Sequence, residues 1–355
     1  MSQPLRYLCL AGDGIGPEIM AATEAVLRSV APALTRPLQL EQAEIGFAAL
    51  EASGTTLPEA VIARATAVEG VILGPVSHNA YPLADAGGIN PSGVLRKALD
   101  LFANHRPAAT WQGLEAPSRK AFDLVVMREN LEGFYADRNM HHGGGEFMPD
   151  ADTALAFRKI TRAASMNIAQ AGFALAATRP AQKVTVIHKA NVMRISDGLF
   201  LECCRAVAKA YPQITYEEVL VDAAAAHLVR DPSRFDVLIT TNMFGDILSD
   251  LASELAGGLG LAGSLNFGRP HALAQAQHGS APDIAGQDKA NPTSLILSAE
   301  MLLRHHGETR AADLIRTTVG QALARPETRT GDLGGTMGTV AFTQHLTTQI
   351  SEALR

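Results

Sequence analysis

The sequence predicts an α/β protein whose strands are covered by helices. Short runs of β-branched or aliphatic residues alternate with longer alanine- and leucine-rich stretches of amphipathic period, which is typical of that fold class. With 355 residues, of which 47% are hydrophobic and 19% charged, the chain can bury the core of one large or two medium-sized domains. No linear boundary separates two domains, which leaves room for a discontinuous arrangement.

Short apolar runs and longer amphipathic stretches predict the individual elements. The runs predict strands at residues 7–10, 70–73, 124–127, 183–187 and 237–240. The stretches predict helices at residues 17–30, 92–102, 154–177, 198–211, 245–257 and 294–305, the first of which opens with a proline near its first turn. Residues 137–149 contain three consecutive glycines and have neither period, so they are predicted to form an irregular excursion or arm.

The charge and cysteine content argue against several classes of protein. The 30 basic and 36 acidic residues give a formal net charge of −6 without a basic stripe, so nucleic acid is not expected as a main partner. Cys9, Cys203 and Cys204 allow neither a disulfide framework nor a metal-ligand spacing, which favours a reducing compartment. The first apolar run is too short for a signal peptide, and no apolar stretch is long enough to predict a membrane span. We therefore expect a soluble, cytoplasmic protein.

An acidic motif predicts a metal site. Within residues 240–250 (TTNMFGDILSD), Asn242, Asp246 and Asp250 are spaced by four and fall on one face of a helix. Two carboxylates stacked in this way repel each other unless a cation lies between them, and Mg²⁺ or Mn²⁺ prefers such oxygen ligands. A solvated acidic face is the alternative, which the apolar residues of the same helix disfavour. Asp222 adds another carboxylate at the end of a predicted buried strand.

Three arginines predict a site for carboxylates. Arg96 lies in a predicted helix, Arg106 precedes a proline that ends a strand, and Arg128 lies at the end of another strand. Because the ends of strands in an α/β protein converge on one crevice, three guanidinium groups there would bind a small di- or tricarboxylate. Taken singly, each arginine is better explained by a structural surface ion pair, so the prediction rests on the three together.

Lys189 and Tyr135 form a candidate acid–base pair. Lys189 follows the predicted strand KVTVIH, and a lysine that is partly desolvated near cations can take up a proton. Tyr135 lies seven residues after Arg128, and its phenol would be the matching general acid. A half-buried packing role is the alternative for Tyr135.

Two glycine-containing loops predict a nucleotide site. Residues 12–18 (GDGIGPE), with Gly14 and Ile15 at the centre, follow the first strand and open a helix, although their glycines do not match GxGxxG. Residues 278–286 (HGSAPDIAG) form the second loop, in which Asp283 would accept hydrogen bonds from a ribose 2′-hydroxyl and favour NAD over NADP. Turns without a ligand are the alternative. The other candidate cofactor-binding residues there are His278, Gly279, Ser280, Ala281, Ile284 and Asn291.

Six motifs together resemble one known family, the β-decarboxylating dehydrogenases, which act on isocitrate, 3-isopropylmalate, homoisocitrate and tartrate or D-malate. The motifs occur in the family's order and approximate spacing over nearly the whole chain. They are GDGIGPE from residue 12, LRKALDLFANHRP from 95, RENLEGFY from 128, KANV from 189, NMFGDILSD from 242 and HGSAPDIAG from 278.

The resemblance implies a two-domain fold distinct from the Rossmann type, with the active site in the cleft between the domains. It implies a large, discontinuous cofactor-binding domain from residues 1–102 and 253–355. The small central domain, residues 103–252, would carry the dimer interface and an arm near residues 137–150. The resemblance also implies a homodimer with shared active sites.

The family's site residues map onto the residues already singled out. By similarity, the three arginines grip the malate moiety, and Asp246 and Asp250 bind Mg²⁺ or Mn²⁺ together with Asp222 of the neighbouring subunit. Lys189 also reaches across and, supported by Asp222, removes the proton of the C2 hydroxyl while hydride passes to NAD. The metal then stabilises the enolate as CO₂ leaves, and Tyr135 protonates the enol carbon.

The loop before the first arginine bears on the substrate. In residues 87–96 (GGINPSGVLR), Asn90 and Ser92 could donate hydrogen bonds to a further carboxylate or hydroxyl, although their order is reversed relative to isocitrate dehydrogenases. The signature ENLEG (129–133) also favours an isocitrate-, homoisocitrate- or tartrate-like polar substrate. The alternative is a 3-alkylmalate such as 3-isopropylmalate, with an apolar wall made of Ile89, Val94 and Val192.

Two hypotheses of other classes are weaker. A non-catalytic regulatory subunit of an isocitrate dehydrogenase would be expected to lose part of the lysine, tyrosine and aspartate set, and this chain keeps all of it. A metal-free Rossmann dehydrogenase is disfavoured by the glycine spacing and by Asp246 and Asp250.

Overall fold

A computed structural model of the chain describes residues 3–135 and 144–355, which contain eleven α-helices and twelve β-strands. The strands are β1 (Leu5–Leu10), β2 (Leu38–Ala43), β3 (Gly70–Leu73), β4 (Ala103–Ala109), β5 (Asp123–Glu129), β6 (Glu146–Asp150), β7 (Thr153–Ala156), β8 (Lys183–His188), β9 (Thr215–Leu220), β10 (Val237–Thr240), β11 (Leu265–Phe267) and β12 (Ala272–Gln275). The helices are α1 (Gly16–Ser29), α2 (Gly46–Ser53), α3 (Glu59–Thr66), α4 (Pro91–Ala98), α5 (Arg162–Thr178), α6 (Ser196–Ala208), α7 (Val221–Arg230), α8 (Asn242–Ala256), α9 (Thr293–His305), α10 (Thr309–Leu323) and α11 (Thr339–Ala353).

The chain divides into two compact units, each built from separate segments. Unit 1 comprises Met1–Leu101, Trp111–Glu115 and Gly257–Arg355. Unit 2 comprises Phe102–Thr110 and Ala116–Ala256. The functional roles expected for two such parts, cofactor binding and dimer formation, stay predictions.

Unit 1 is built on strands in the order β2-β1-β3-β12-β11, of which the first four are parallel and β11 is antiparallel to β12. Successive side chains of β1 point to opposite faces of the sheet, and helices cover both of these faces. Tyr7 lies in a core with α1, α9, α10 and α11, whereas Leu8 packs into a second core with α3 and α4. The parallel register brings the carboxyl ends of β1, β3 and β12 to one edge, from which the two predicted cofactor loops and the residues after β3 emerge.

Unit 2 is built on strands in the order β4-β5-β10-β8-β9, with β4 antiparallel to β5 and the other pairs parallel. Helices α7 and α8 cover one face, where Leu124, Leu238 and Leu248 form the core. Helices α5 and α6 contact β10 and β8. A separate antiparallel hairpin is formed by β6 and β7, and it exposes large apolar side chains, among them Phe147 and Met148.

All five predicted strands and all six predicted helices are present, but two helix bounds were wrong by four or more residues, and two others, at residues 211 and 245, were wrong by three. The helix predicted to reach residue 102 ends at Ala98, because Asp100 adopts a left-handed φ of 49° and the chain then enters β4. The helix predicted from residue 154 begins at Arg162. There Thr161 caps it by accepting a hydrogen bond from the backbone N–H of Ala164.

Three placements made from the sequence are also corrected. The strand expected to end at Pro107 continues to Ala109, because its pairing with β5 runs on to that residue. Asp222 lies in the first turn of α7, and β9 before it is a half-exposed edge strand, not a buried one. Of the predicted irregular arm, residues 137–143 lie outside the described residues, and residues 146–149 belong to β6.

No helix among the described residues is both long enough and apolar enough to cross a membrane.

Candidate active site

Strand register brings the polar side chains of unit 2 to one face. Asn104 and Arg106 are two residues apart on β4, and Arg128 lies directly opposite Asn104 on the antiparallel strand β5. Helix α8 covers this face and begins with Asn242. Gly245 permits the approach, because a Cβ at that position would lie only 2.6 Å from Cγ of Arg128.

The guanidinium group of Arg128 is the centre of a buried network. Its Nε and Nη2 atoms both donate to Oδ1 of Asn242, at 2.9 and 2.7 Å. Its Nη1 forms an ion pair with Asp246, and its Nη2 donates to the hydroxyl of Tyr135 at 2.9 Å. The Tyr135 hydroxyl in turn donates to Oδ2 of Asp246 at 2.8 Å. The predicted residues Arg128, Tyr135 and Asp246 are therefore in direct contact.

Arg106 connects the two aspartates of α8. Its Nη1 lies 3.1 Å from Oδ1 of Asp246 and 3.1 Å from Oδ1 of Asp250, and it donates to Oγ of Ser249 at 2.7 Å. The pKa of Arg106 is lowered to about 10, mainly by burial and also by the nearby Arg128 charge, while the two carboxylates oppose the shift. A group with a pKa of about 10 is still a cation at neutral pH.

The donor set on α8 fits a hard divalent cation. The side chains of Asp246 and Asp250 are 38% and 50% exposed, and the Arg106 guanidinium already acts as a cation between their oxygens. Within one chain, no group of three or more His, Cys, Asp or Glu side chains among the described residues could hold a metal. Asp222 therefore does not join Asp246 and Asp250 in the same subunit.

Lys189 and Asp222 form a second polar group of unit 2. Nζ of Lys189 lies 2.7 Å from Oδ1 of Asp222, and this ammonium holds the pKa of Asp222 below its usual value. The backbone of Lys189 is fixed from the other side, because its N–H donates to the completely buried Asp197 carboxylate. Asp197 also accepts a hydrogen bond from Arg158.

In unit 1, the predicted substrate residues contact the last residue of β12. Oε1 of Gln275 accepts hydrogen bonds from Oγ of Ser92 at 3.0 Å and from Nη2 of Arg96 at 3.1 Å. Asn90 is the N-cap of α4, with its Oδ1 accepting from the backbone N–H groups of Ser92 and Gly93. The cap uses only the oxygen of the Asn90 side chain, so its amide nitrogen is still able to donate a hydrogen bond, as the sequence predicts.

The two predicted cofactor loops touch each other. The backbone N–H of Ile15 donates to the carbonyl of Ser280 at 2.9 Å. A Cβ at Gly14 would lie 2.0 Å from the same carbonyl oxygen, which explains the glycine. The hydroxyl of Ser280 also contacts that of Ser77, which follows β3, at 2.7 Å.

The second loop offers groups that fit a dinucleotide. Nε2 of His278 is buried without a hydrogen-bond partner, and burial lowers the pKa of this imidazole. Asn291 is held by Asp332 and accepts from the N–H of Thr293, so its position is fixed. Asp283 is exposed. Gly279, Ala281 and Ile284 lie in the same loop.

Several polar partners of the site were missed from the sequence. Asn104, Ser249 and Gln275 each contact one of the three arginines, and Asn242 was expected only as a further oxygen on the face of α8. Asp13, inside the first loop, accepts hydrogen bonds from the backbone N–H groups of Phe47 and Ser77 and from the Tyr81 hydroxyl. The available signal for Asn104 was its position two residues before Arg106 on the strand expected to end at Pro107, which places both side chains on one face.

The model of the isocitrate/isopropylmalate dehydrogenase family matches residues 7–353. The chain belongs to this family. It is 40% identical over 340 residues to an isocitrate/homoisocitrate dehydrogenase of Thermus thermophilus, with 96% of each chain covered. It is 41% identical over 337 residues to a 3-isopropylmalate dehydrogenase of Archaeoglobus fulgidus, covering 95% of this chain and 97% of that one.

A solved structure of an isocitrate dehydrogenase from Methylococcus capsulatus has the same fold, with a TM-score of 0.88 and 38% identity over 98% of this chain and 99% of that chain. The predicted fold class and the resemblance stated from the motifs are thus confirmed. The protein is an oxidoreductase of a family that decarboxylates hydroxy acids oxidatively.

Proposed function

We propose that the protein catalyses the NAD-dependent oxidative decarboxylation of a 3-substituted malate to a 2-keto acid and CO₂. The observation that carries this proposal is the polar network of unit 2, in which hydrogen bonds and ion pairs connect Arg106, Arg128, Tyr135, Asp246 and Asp250. It combines carboxylate-binding cations, a phenol and oxygen ligands, which together are the groups this reaction needs.

Arginines are the proposed substrate anchors. Arg106 and Arg128 are almost completely buried, and a guanidinium in a poorly hydrated position binds a carboxylate strongly and with a fixed orientation. Arg96 of unit 1 is likewise buried and is proposed to bind the same malate moiety.

Proton transfer is assigned to Lys189, Asp222 and Tyr135. In its neutral form, Lys189 takes the proton of the C2 hydroxyl and becomes an ammonium, and the carboxylate of Asp222, which lies 2.7 Å from its Nζ, stabilises that charge. The Tyr135 hydroxyl, held between Arg128 and Asp246, delivers a proton to the carbon that loses CO₂.

Asp246 and Asp250 would hold Mg²⁺ or Mn²⁺, which when bound polarises the new carbonyl and stabilises negative charge as CO₂ leaves. Because Asp222 does not join them within one chain, we propose that a second copy supplies Asp222 and Lys189, so that the active protein is a homodimer with shared sites. This arrangement also explains why Lys189 and Asp222 form a separate pair in the single chain.

NAD is the proposed hydride acceptor, bound by the loops that contain Ile15 and Ser280. The exposed carboxylate of Asp283 would accept hydrogen bonds from a free ribose 2′-hydroxyl and repel a 2′-phosphate. His278 offers its unpartnered Nε2 to the nucleotide.

A polar 3-substituent, as in isocitrate, homoisocitrate or tartrate, is the preferred substrate class. Ser92 and Gln275 place two polar side chains beside Arg96, and their remaining hydrogen-bonding groups can serve a polar substituent. A 3-alkylmalate is the second candidate, because Val94 is half-buried and Val192 is 69% exposed, so both could still line an apolar wall. A regulatory subunit remains the alternative of another class, and the complete acid–base and acidic set argues against it.

A substrate panel tests the proposal. Purified protein with Mn²⁺ is assayed with isocitrate, homoisocitrate, 3-isopropylmalate, tartrate and D-malate, with NAD⁺ and NADP⁺ in parallel, by following reduced cofactor. We expect turnover of at least one polar substrate with NAD⁺. Turnover of 3-isopropylmalate alone would select the second candidate, and inactivity on the whole panel would contradict the proposed function.

A further inference from the structure

Each of the three arginines is held by the oxygen of a neutral carboxamide. Arg128 donates from Nε and Nη2 to Oδ1 of Asn242, at 2.9 and 2.7 Å. Arg106 donates from Nε to Oδ1 of Asn104 at 2.6 Å, and Arg96 donates from Nη2 to Oε1 of Gln275 at 3.1 Å. The carboxamides come from three different elements, β4, α8 and β12, so the pattern does not follow from one local motif.

Asn242 is itself rigidly held. Its side chain is completely buried, and its Nδ2 donates to the backbone carbonyl of Glu132 at 2.9 Å. This bond fixes which end of the carboxamide faces Arg128, since a reversed amide would point its NH2 group at the guanidinium donors and its oxygen at the Glu132 carbonyl. Two guanidinium nitrogens on one fixed oxygen determine the plane of the Arg128 head group.

The carboxamides that hold the arginines carry no charge. Arg128 already contacts the Asp246 carboxylate, and a second carboxylate at position 242 would hold it more strongly but add a further negative charge, which leaves less attraction for an anionic ligand. Asn104 is also completely buried, so the same reasoning applies at Arg106. A carboxamide orients a cation and leaves its charge intact.

We propose that Asn104 and Asn242, and Gln275 in unit 1, are positioning residues that orient the guanidinium groups of the arginines while preserving their charge for the carboxylates of the substrate. This inference rests on the proposed function in one respect, namely that the arginines bind substrate. It does not require a particular 3-substituent.

Two substitutions at position 242 separate orientation from charge. Asn242→Ala removes the acceptor and keeps the charge of Arg128, whereas Asn242→Asp keeps an acceptor and adds a further negative charge. Since a hydrogen bond to a charged group is involved, each variant should raise the Kd of the hydroxy acid by about tenfold or more. The KM for the dinucleotide should change by less than about twofold, because its proposed loops lie elsewhere in the fold.

A matched control removes a hydrogen bond of unit 2 in which the three arginines take no part. Thr185 is completely buried on β8, and its Oγ1 donates to Oε1 of Glu217 at 2.7 Å. Thr185→Val should lower the melting temperature without changing the Kd of the hydroxy acid. Asn104→Asp repeats the charge test at Arg106, in case the Asn242 variants do not fold.

Binding is measured by calorimetry with D-malate and the other acids of the panel in the presence of Mn²⁺ and without dinucleotide, so that it does not depend on turnover. If folded variants bind the acids as the wild type does, or if acid and dinucleotide binding weaken equally, the positioning role is wrong. It is also wrong if the wild type binds none of the acids. Weakened binding in the variants of a protein that turns over no substrate would support the positioning role and contradict only the proposed function.

Discussion

Glu129 provides a test of how burial controls the stability of this protein. The residue ends β5, immediately after Arg128, and is 3% exposed. Its carboxylate accepts hydrogen bonds from the backbone N–H groups of Leu131 and Glu132, at 2.7 and 3.0 Å. Burial nevertheless raises its pKa to about 7 from an ordinary 4.5, and the neighbouring Glu132 charge acts in the same direction.

The sign of the pH effect follows from proton binding. Between pH 4.5 and 7, folded Glu129 retains its proton while the unfolded chain has lost it, so the free energy of unfolding falls as the pH rises. The difference between the two pKa values corresponds to about 3 kcal/mol at full ionisation. Glu129→Gln removes this titration and keeps a side chain of nearly the same shape.

We therefore expect Glu129→Gln to gain stability relative to the wild type as the pH rises from 4.5 to 7, with a constant difference above pH 7. Urea unfolding at pH 5 and pH 8 measures the change, at one protein concentration because an oligomer's stability depends on it. The control is Glu327→Gln, at an exposed position, which should show no pH-dependent difference. If the free energies of unfolding of the wild type and of Glu129→Gln differ by the same amount at both pH values, the reasoning is refuted.

Four further outcomes are expected. Tyr135→Phe should lower kcat by about a hundredfold or more in the turnover assay, since it removes a proton donor, with the melting temperature nearly unchanged. Mixing inactive Lys189→Ala chains with inactive Tyr135→Ala chains should restore activity if each site draws on two copies, and unmixed chains are the control. Asp283→Lys should shift the ratio of kcat/KM values toward NADP⁺, and an unchanged ratio would remove this basis for the cofactor assignment. Gly245→Ala should cost about 1–3 kcal/mol in urea unfolding, because its methyl group would overlap Arg128.

The fold was predicted where strands are buried on both faces. Every residue of β3 and of β10 is buried, so both strands could be recognised in the sequence as apolar runs. β2 was missed, and β9 was expected to be buried, although both are edge strands whose residues are only partly buried. β4 was not recognised over its full length because it carries Asn104, Arg106 and Pro107, which a search for apolar runs discounts.

The residues of the candidate site could be predicted only where they belong to motifs that are continuous in sequence. Arg106, Arg128, Tyr135 and the aspartates of α8 were found because each belongs to a motif that is continuous in sequence. Their partners were not, because contacts such as that between Arg106 and Ser249 and that between Arg96 and Gln275 join segments 143 and 179 residues apart. A motif shows which residue types are present, whereas the orientation of each guanidinium group depends on how the elements pair and pack in the fold.

Charge balance in unit 2 connects the proposed binding of a divalent cation with the proposed binding of the carboxylate substrate. Arg106 and Arg128 both contact Asp246, and Arg106 also contacts Asp250, so two guanidinium groups and two carboxylates neutralise each other. A divalent cation bound by the carboxylates would leave the arginines with excess positive charge, and a carboxylate substrate would restore neutrality. Cation and substrate should therefore favour each other's binding, since each relieves the charge imbalance that the other creates. The neutral partners Asn104 and Asn242 keep the arginines in place while the carboxylates change partner.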